Sequence, residues 1–298
     1  MVNSKRLGAE LDGSEYWHVA VFCSERATGN PTGVVILGEA VRDSVCSSAA
    51  ALIGHPDTAF LWPCESGVWY TKTFSPAESI SFCVQTLLAS LTVLRRKTGD
   101  DRFSFLLGER RVSVRADAEI PDTAWVEAHR NEIRILGESR LNELSDALGA
   151  DTGVVVDSGR KRVYIAMSRD QLRTVRLLPE SVTAFCHSAG IHGVCLFAPR
   201  EASLSIALRV FTTSLDGRED SATGGAVLGL LTLMLETGRA NEGDVWNIDQ
   251  GHGPRHLRGT LLARCPGKGV LEIGGRCLPI ARGVLLDQDF PNSNERTD

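Results

Sequence analysis

Two apolar segments of the chain resemble each other, and one lies in each half. Residues 87–99 read LLASLTVLRRKTG and residues 226–238 read AVLGLLTLMLETG, so both end in Thr-Gly after an apolar stretch. Each follows, after a short polar loop, a strand-like segment with a phenylalanine near its end, Phe74 or Phe211. A helix that is apolar almost all round is buried rather than laid on a surface. The chain must therefore enclose two helices, one in each half, unless the likeness of the two segments is a chance similarity.

The segments around these helices show the patterns of β-strands, in which β-branched and aromatic residues are bounded by Gly, Pro and Asn. The predicted strands are residues 16–23, 33–37, 68–75, the hairpin 103–116, 153–157, 162–167, 193–198, 204–212 and 283–287. A further helix is predicted over residues 43–53, with Asp43 as its N-cap. We therefore predict an α+β fold of two similar domains, residues 16–140 and 141–290, each a mixed β-sheet wrapped around its central buried helix. Whether the last strands return to the first domain is left open.

Composition narrows the class of protein. The 298 residues are 43% hydrophobic and 23% charged, with a net charge of −5, so neither nucleic acid nor an anionic membrane is an expected partner. No apolar run reaches the roughly 18 residues of a spanning helix, and the first residues lack a signal-peptide core, which predicts a cytoplasmic protein. The eight cysteines form no CxxC or Cys/His cluster, so no metal is expected and most of them are interpreted as small buried hydrophobes.

A carboxylate and four small residues stand directly before the second apolar helix, in the stretch EDSATGG of residues 219–225. The start of a buried helix presents unpaired N–H groups and a partial positive charge, and small residues let a carboxylate or phosphate approach them. The alternative is a capped helix start, with Asp220 or Ser221 as the cap. If the first half mirrors this arrangement, its helix start near residues 82–86 faces the same cleft.

Six segments, taken in order, resemble motifs of the PhzF family of phenazine-biosynthesis-like isomerases, which share the fold of diaminopimelate epimerase. These segments are VAVFCSERATGNPTGVVIL, HPDTAFLWP, TKTFSPAESISFCVQT, VVVDSGRKRVYIAM, REDSATGGAVLGLL and DQGHGPRHLRG. The resemblance extends over residues 16–287. It implies two domains with the active site in the cleft between them, and a reaction that needs no metal, flavin or pyridoxal cofactor. It also implies that a glutamate moves a proton between carbons of one substrate, that a histidine and an aspartate hold the substrate, and that helix N-termini bind its carboxylate.

The chain departs from the family pattern at several of these positions. Asp57 stands where the family has glutamate; its side chain is one methylene shorter but can still act as a general base if burial raises its pKa. Gln85 stands in place of the family histidine and can form hydrogen bonds but cannot exchange a proton. Ser221 replaces a proline, whereas Asp220 is retained. The loop between Gly251 and Arg255 is one residue short.

Two further residues have two interpretations each. Cys83 occupies a position at which two-thiol racemases of the same fold carry a cysteine, but the position of the second thiol falls near Asp220 and Ser221, which favours a packed, inert Cys83. His55 precedes Asp57 by two residues and is either a group that orients or shares a proton with that carboxylate, or a plain polar residue of the loop.

These observations predict a cofactor-independent isomerase that shifts a proton and a double bond in a small unsaturated carboxylic acid. Antibiotic biosynthesis is the expected setting, with a pyrroline carboxylate of a 4-alkyl-proline pathway as the expected substrate; a non-catalytic module that binds a small acid or a protein is the alternative. A homodimer is expected. The predicted catalytic residues are Asp57, Asp220 and Gln85. The predicted substrate-binding residues are His55, Cys83, Val84, Thr86, Ala222, Thr223, Gly224 and Gly225.

Overall fold

The computed structural model describes residues 9–24, 29–199, 204–253 and 258–287. Its strands are β1 (Glu15–Val21), β2 (Asn30–Ile36), β3 (Asp57–Glu65), β4 (Val68–Phe74), β5 (Ser79–Ile80), β6 (Arg102–Leu107), β7 (Arg110–Ala116), β8 (Thr123–His129), β9 (Arg134–Arg140), β10 (Thr152–Asp157), β11 (Lys161–Ala166), β12 (Gly193–Pro199), β13 (Ser205–Thr212), β14 (Glu219–Asp220), β15 (Val245–Gln250), β16 (Gly259–Gly267) and β17 (Val270–Val284). Its α-helices are α1 (Asp43–Ile53), α2 (Val84–Thr98), α3 (Ser145–Leu148), α4 (Arg169–Thr174), α5 (Pro179–Ala189) and α6 (Gly224–Glu236). A search of these ranges finds no helix long and apolar enough to cross a membrane.

The strands of the two halves pair in the same order. In the first half β1 and β2 are antiparallel, β2 and β3 parallel, β3 and β4 antiparallel, and β4 and β6 parallel. In the second half β10 and β11, β11 and β12, β12 and β13, and β13 and β15 repeat that series. The short strands β5 and β14 each pair with the strand before them and lead into α2 and α6. The likeness of the two apolar segments is therefore matched by a repeated strand–loop–helix unit.

The helix α2 lies against strands of the first half over most of its length, and nearly all side chains from Val84 to Leu94 are buried. It ends before Gly99, which adopts the left-handed conformation (φ 85°) expected of a helix C-terminus. The basic residues of its last turn face the negative end of the helix dipole. The helix α6 is buried in the same way, but it begins at Gly224 rather than at residue 222, because Thr223 is extended (φ −130°, ψ 92°).

Other helices cover the outer faces of the sheet. The helix α1 has the predicted bounds and packs with Phe60 and Phe74, although Arg42 is its N-cap and Asp43 its first helical residue. The helices α4 and α5, which the sequence analysis did not predict, cover the outer face of the second half. Only a few residues of α5 are buried, so its apolar pattern is weaker than that of α6.

The strand β17 connects the two halves, because it pairs with β16 on one side and with β1 and β8 of the first half on the other. The strand β9 lies within the first predicted range but pairs with β10 of the second. The structure confirms the mixed sheet with helices; the division into domains at residues 140 and 141 stays a prediction.

A glycine inside α6 makes room for a buried tyrosine. The hydroxyl group of Tyr164, on β11, donates a hydrogen bond to the carbonyl oxygen of Ala226 (2.9 Å). A Cβ atom placed on Gly229 would lie 2.2 Å from that hydroxyl oxygen, well inside contact distance. The glycine therefore sets the distance between α6 and the sheet.

We expect Gly229→Ala to destabilise the protein by about 1–3 kcal/mol, the usual cost of overpacking a core, despite the higher helix propensity of alanine. Urea unfolding would measure this difference. Adding Tyr164→Phe should restore part of the loss, since it removes the oxygen that the new methyl group meets. A Gly229→Ala variant as stable as the parent would show that Tyr164 is not packed in this way.

Candidate active site

Asp57 is the first residue of β3, and the alternation of side chains along the strand directs it toward α2. Ala59 and Leu61, on the same face, belong to the core that surrounds α2, whereas Phe60 faces α1. The Asp57 carboxyl group accepts a hydrogen bond from the Cys83 thiol (Sγ to Oδ2, 3.4 Å). Burial raises the pKa of Asp57 to about 6, against the effect of the Cys83 hydrogen bond, and the nearby charge of Asp220 adds to the increase.

Asp220 is the second carboxyl group of the site and comes from the other half of the chain. Its Oδ2 atom accepts a hydrogen bond from the Thr223 hydroxyl group (2.6 Å), and the N–H groups of Ala222 and Ser221 also face the carboxylate. Burial raises the pKa of Asp220, while these three donors act in the opposite direction. The fold thus places two partly buried carboxyl groups near enough for the charge of one to affect the other.

The first residues of α2 and α6 touch each other. A Cβ atom placed on Gly224 would lie 2.7 Å from the Cβ atom of Val84, so residue 224 has no room for a side chain. The absence of a side chain at Gly224 thus serves the packing of the two helices, and the binding of substrate at its backbone N–H group stays a prediction. The two helix N-termini lie side by side at the two carboxyl groups.

Fewer amides are free to bind a carboxylate than the sequence analysis predicted. The N–H group of Thr223 donates to the Gln250 side chain (Oε1, 3.0 Å), and that of Ala222 faces Asp220. Within the described ranges, only the N–H groups of Gly224 and Gly225 remain without an acceptor at the start of α6. At the start of α2 the N–H group of Thr86 faces the Cys83 sulfur. The Thr86 hydroxyl group lies 2.9 Å from that of Thr73.

The side chain of Gln85, predicted to orient substrate, is occupied by protein partners. Its Oε1 atom accepts from Asn30 Nδ2 (3.0 Å) and its Nε2 atom donates to Thr32 Oγ1 (2.8 Å). Asn30 also donates to the carbonyl oxygen of Ala222 (2.9 Å) and accepts from the Ser221 hydroxyl group. Asn30 therefore joins the two halves of the chain and Gln85 holds it in place, so the geometry favours a structural role for both.

Asn30 and Gln250 were not among the predicted site residues, although both lie in motifs that carried the family resemblance. The Gln250 side chain donates to the carbonyl oxygen of Asp220 and to Thr223 Oγ1, both at 2.9 Å. Their position in these motifs was the signal that could have identified them. Residues 254–257 lie outside the described residues, and with them Arg255 and the shortened loop.

Cys83 is the N-cap residue of α2, and its thiol acts as a hydrogen-bond donor to Asp57. Burial and the Asp57 charge raise the pKa of this thiol far above its ordinary range. Because the thiolate is the nucleophilic form of cysteine, the geometry favours the packed, inert interpretation of Cys83.

His55 lies with aromatic side chains of the outer layer rather than at the Asp57 carboxyl group. Its Nε2 atom is 2.7 Å from the Tyr16 hydroxyl oxygen, and its ring centroid is 4.5 Å from that of His18. Burial and the His18 charge lower the pKa of His55 to about 4, so the ring is neutral at pH 7. No hydrogen bond joins His55 to Asp57 within the described residues, which supports the interpretation of His55 as a plain polar residue.

Two arginines that the sequence analysis did not identify lie beside the site, on the turn and strand that follow β10. Arg160 forms an ion pair with Glu78 (2.5 Å) and donates to Ser214 (2.6 Å), which links the two halves. Arg162 is buried next to the first turn of α6, where no cation was expected. Charged residues at the start of a strand resemble a solvent-facing edge, so the sequence carried no signal for either position.

Because the pKa of Asp57 is raised, its contribution to the stability of the protein should depend on pH. A carboxyl group whose pKa is higher in the folded state than in the unfolded state stabilises the folded protein less as the pH rises. The change occurs between the two pKa values, here from about 4 to about 6. We expect Asp57→Asn to gain stability relative to the parent protein as the pH is raised from 4 to 7.5. Denaturant unfolding at several pH values would measure the difference.

Asp117→Asn is a matched control of opposite sign. Although burial acts to raise it, the pKa of Asp117 is lowered on balance by hydrogen bonds from the Ile120 and Glu119 amides and from Trp125. Replacing Asp117 should therefore cost more stability at pH 7.5 than at pH 4. An Asp57→Asn variant that lost stability with rising pH would contradict the assigned environment of Asp57.

Comparison with known proteins places these observations in a family. A family model described as phenazine biosynthesis-like protein, PhzC-PhzF, matches residues 19–268. An uncharacterized isomerase of Deinococcus radiodurans is 24% identical over 241 residues, which cover 76% of this chain and 78% of that protein.

Solved structures show the same fold at low sequence identity. A protein described as a predicted epimerase from Pseudomonas aeruginosa superposes with a TM-score of 0.76 at 19% identity, over 92% of this chain and 100% of that one. A hydroxyproline epimerase from Agrobacterium vitis, with bound trans-4-hydroxy-L-proline, gives a TM-score of 0.64 at 12% identity, over 92% and 93% of the two chains. The match of the family model over most of the sequence shows that this chain belongs to the phenazine biosynthesis-like (PhzC-PhzF) protein family.

Proposed function

We propose that this protein is an isomerase that moves a proton, and with it a double bond, within a small unsaturated carboxylic acid. One observation carries the proposal: two partly buried carboxyl groups from different halves of the chain, Asp57 and Asp220, lie beside two adjoining helix N-termini. Paired acids can give and take protons, and helix N-termini hold an anion. The curated relative named as an isomerase and the similarly folded epimerases support the same class of reaction.

In the proposed reaction Asp57 removes the proton. With a pKa of about 6 the carboxyl group is mostly ionised at pH 7, yet it is more basic than an exposed aspartate. It takes a proton from a carbon atom conjugated with the substrate's double bond and carboxylate, and the electron pair left on that carbon shifts the double bond. The protonated Asp57 then returns the proton to another carbon, so the product is an isomer and no other reactant is needed.

Asp220 has a different part in the proposal. Its oxygen atoms already accept hydrogen bonds from Thr223 and from two backbone N–H groups, which hold the carboxyl group in one orientation. Such a group is suited to orient a polar substrate atom beside the base. The Cys83 thiol similarly fixes the Asp57 carboxyl group from the start of α2.

The finer substrate proposal is a five-membered ring, a pyrroline carboxylate of a 4-alkyl-proline pathway in antibiotic biosynthesis. Asp57 is one methylene shorter than the family glutamate, so the reacting carbon has to lie closer to β3, which suits a compact substrate. The similarly folded epimerase with bound trans-4-hydroxy-L-proline supports a ring of this size. We place the substrate between the two halves, which we propose are the two domains.

We expect Asp57→Asn to lower turnover by about 10²–10⁴-fold, the usual contribution of a general acid–base group, because the amide cannot accept a proton from carbon. Deuterium incorporation from D₂O, followed by NMR with a panel of dienyl and pyrroline acids, would measure the exchange. Folding and binding of the acid should persist in the variant. Unchanged exchange would move the role of base to Asp220, and no exchange with any acid in the parent protein would favour a non-catalytic binding module.

The pH dependence of the same reaction is a second test. Since the base must be ionised, kcat/KM should rise with pH to a plateau above a midpoint of about 6, the pKa of Asp57 in the free enzyme. Asp57→Glu is the companion variant: it retains a carboxyl group, so activity on a differently shaped acid would show that the shorter side chain is matched to its substrate. A flat profile from pH 5 to 8 would contradict Asp57 as the titrating base.

A further inference from the structure

Arg162 is a buried cation whose guanidinium group makes a single hydrogen bond within the described part of the protein. Its residue is 5% exposed, and its Nε atom has no hydrogen-bond acceptor. The Nη1 atom donates to the carbonyl oxygen of Arg160 (3.2 Å), and within the described ranges Arg162 forms no ion pair with a carboxylate. The charge of Arg162 lowers the pKa of the Asp220 carboxyl group, but no carboxylate of the described residues forms an ion pair with the guanidinium group. A buried charge is costly unless it is paired and hydrogen-bonded, and this guanidinium group still has N–H donors to offer an anion.

The guanidinium group lies at the first turn of α6. A Cβ atom placed on Gly225 would be 3.5 Å from Arg162 Nη1 and 3.9 Å from Nη2. A cation beside a helix N-terminus is unfavourable, because both carry positive charge. The free N–H groups of Gly224 and Gly225 point out of the same helix end. The nearby Asp220 carboxyl group is already held by Thr223 and by backbone donors.

The position of Arg162 beside Gly225 differs from the corresponding position in the first half. Thr32 on β2 lies opposite Asp57 on β3, and in the second half Arg162 on β11 lies opposite Gly193 on β12. Gln85 and Gly225 are likewise the second residues of α2 and α6. The first half fills this place with the hydrogen bond between Gln85 and Thr32, whereas the second half leaves a glycine facing an arginine.

We propose that Arg162 binds the carboxylate of the substrate, together with the N–H groups of Gly224 and Gly225. This inference rests on the proposed function, since it concerns the same small unsaturated acid. A guanidinium group matches a carboxylate in geometry and can donate two parallel hydrogen bonds to it. The glycine at residue 225 leaves open the space that a side chain would occupy between the anion and Arg162.

The proposal also sets the direction of the substrate. The carboxylate lies in the second half, at α6, and the carbon chain extends toward Asp57 in the first half. Gly193, at the position that corresponds to Asp57, has no side chain, so the repeat supplies a base on one side only. In this proposal the second half binds the anion and the first half transfers the proton.

The test compares binding of cyclopentene-1-carboxylate and cyclopentene-1-carboxamide by isothermal titration calorimetry. Arg162→Met keeps the length and apolar stem of the side chain but removes its charge, and it should weaken carboxylate binding by about 10- to 100-fold, the scale of charge-assisted hydrogen bonds. Arg162→Lys should bind with intermediate affinity, because it keeps the charge but loses the planar fork. The parent protein should bind the carboxamide much more weakly than the acid.

Stability without ligand separates this role from a structural one. If the role of Arg162 is to bind an anion, Arg162→Met should be at least as stable as the parent protein in denaturant unfolding, since the variant lacks a buried charge that forms no ion pair. A structural arginine would instead lose stability and leave carboxylate affinity unchanged. Arg134→Met, which removes the same charge from an exposed arginine, is the matched control and should bind the acid like the parent.

Three results would overturn the inference: carboxylate affinity unchanged in Arg162→Met, equal affinity of the parent for acid and amide, or no binding of the acid by the parent. Failure of the proposed function looks different. In that case the acid binds through Arg162, but no substrate exchanges deuterium and Asp57→Asn changes nothing.

Discussion

The contact between the first residues of the two buried helices is the constraint on which the site depends. Because Gly224 has no side chain, the start of α6 lies directly against Val84 at the start of α2. That contact brings β3, which carries Asp57, close to the segment that carries Asp220. The Asn30 amide links the same two helix starts, since it donates to Gln85 in α2 and to the carbonyl oxygen of Ala222 before α6, so the separation of the halves is held by packing and by polar contacts together.

Charge explains why these groups can share one small volume. Two carboxyl groups that lie close together raise each other's cost of ionisation, whereas two helix N-termini and a buried guanidinium group lower it. Removing water makes each of these interactions stronger. The asymmetry between the halves follows from single positions in a common framework: Asp57 corresponds to Gly193, and Thr32 to Arg162.

The family motifs predicted part of the site but not the state of its side chains. Asp57 begins β3 and Asp220 ends β14, the short strand that leads into α6, and the sheet brings both carboxyl groups to the starts of the central helices. The environment of Gln85 could not be predicted, because its partners Asn30 and Thr32 are distant in sequence and become neighbours only through β2. His55 is close to Asp57 in sequence, but its ring pairs with Tyr16 in the layer against α1.

The sequence by itself determined the two central helices, the alternating strands between them, and the small residues before α6, because these depend on local periodicity and on backbone freedom. Only the tertiary structure decided which amides are free, which polar groups are satisfied and which buried charge forms no ion pair. The physical reason is that hydrogen bonds and desolvation depend on neighbours that strand pairing brings together from distant parts of the chain. Arg162 is the plainest case: in the sequence it is one basic residue in SGRKR, and in the fold it is a buried cation at a helix N-terminus.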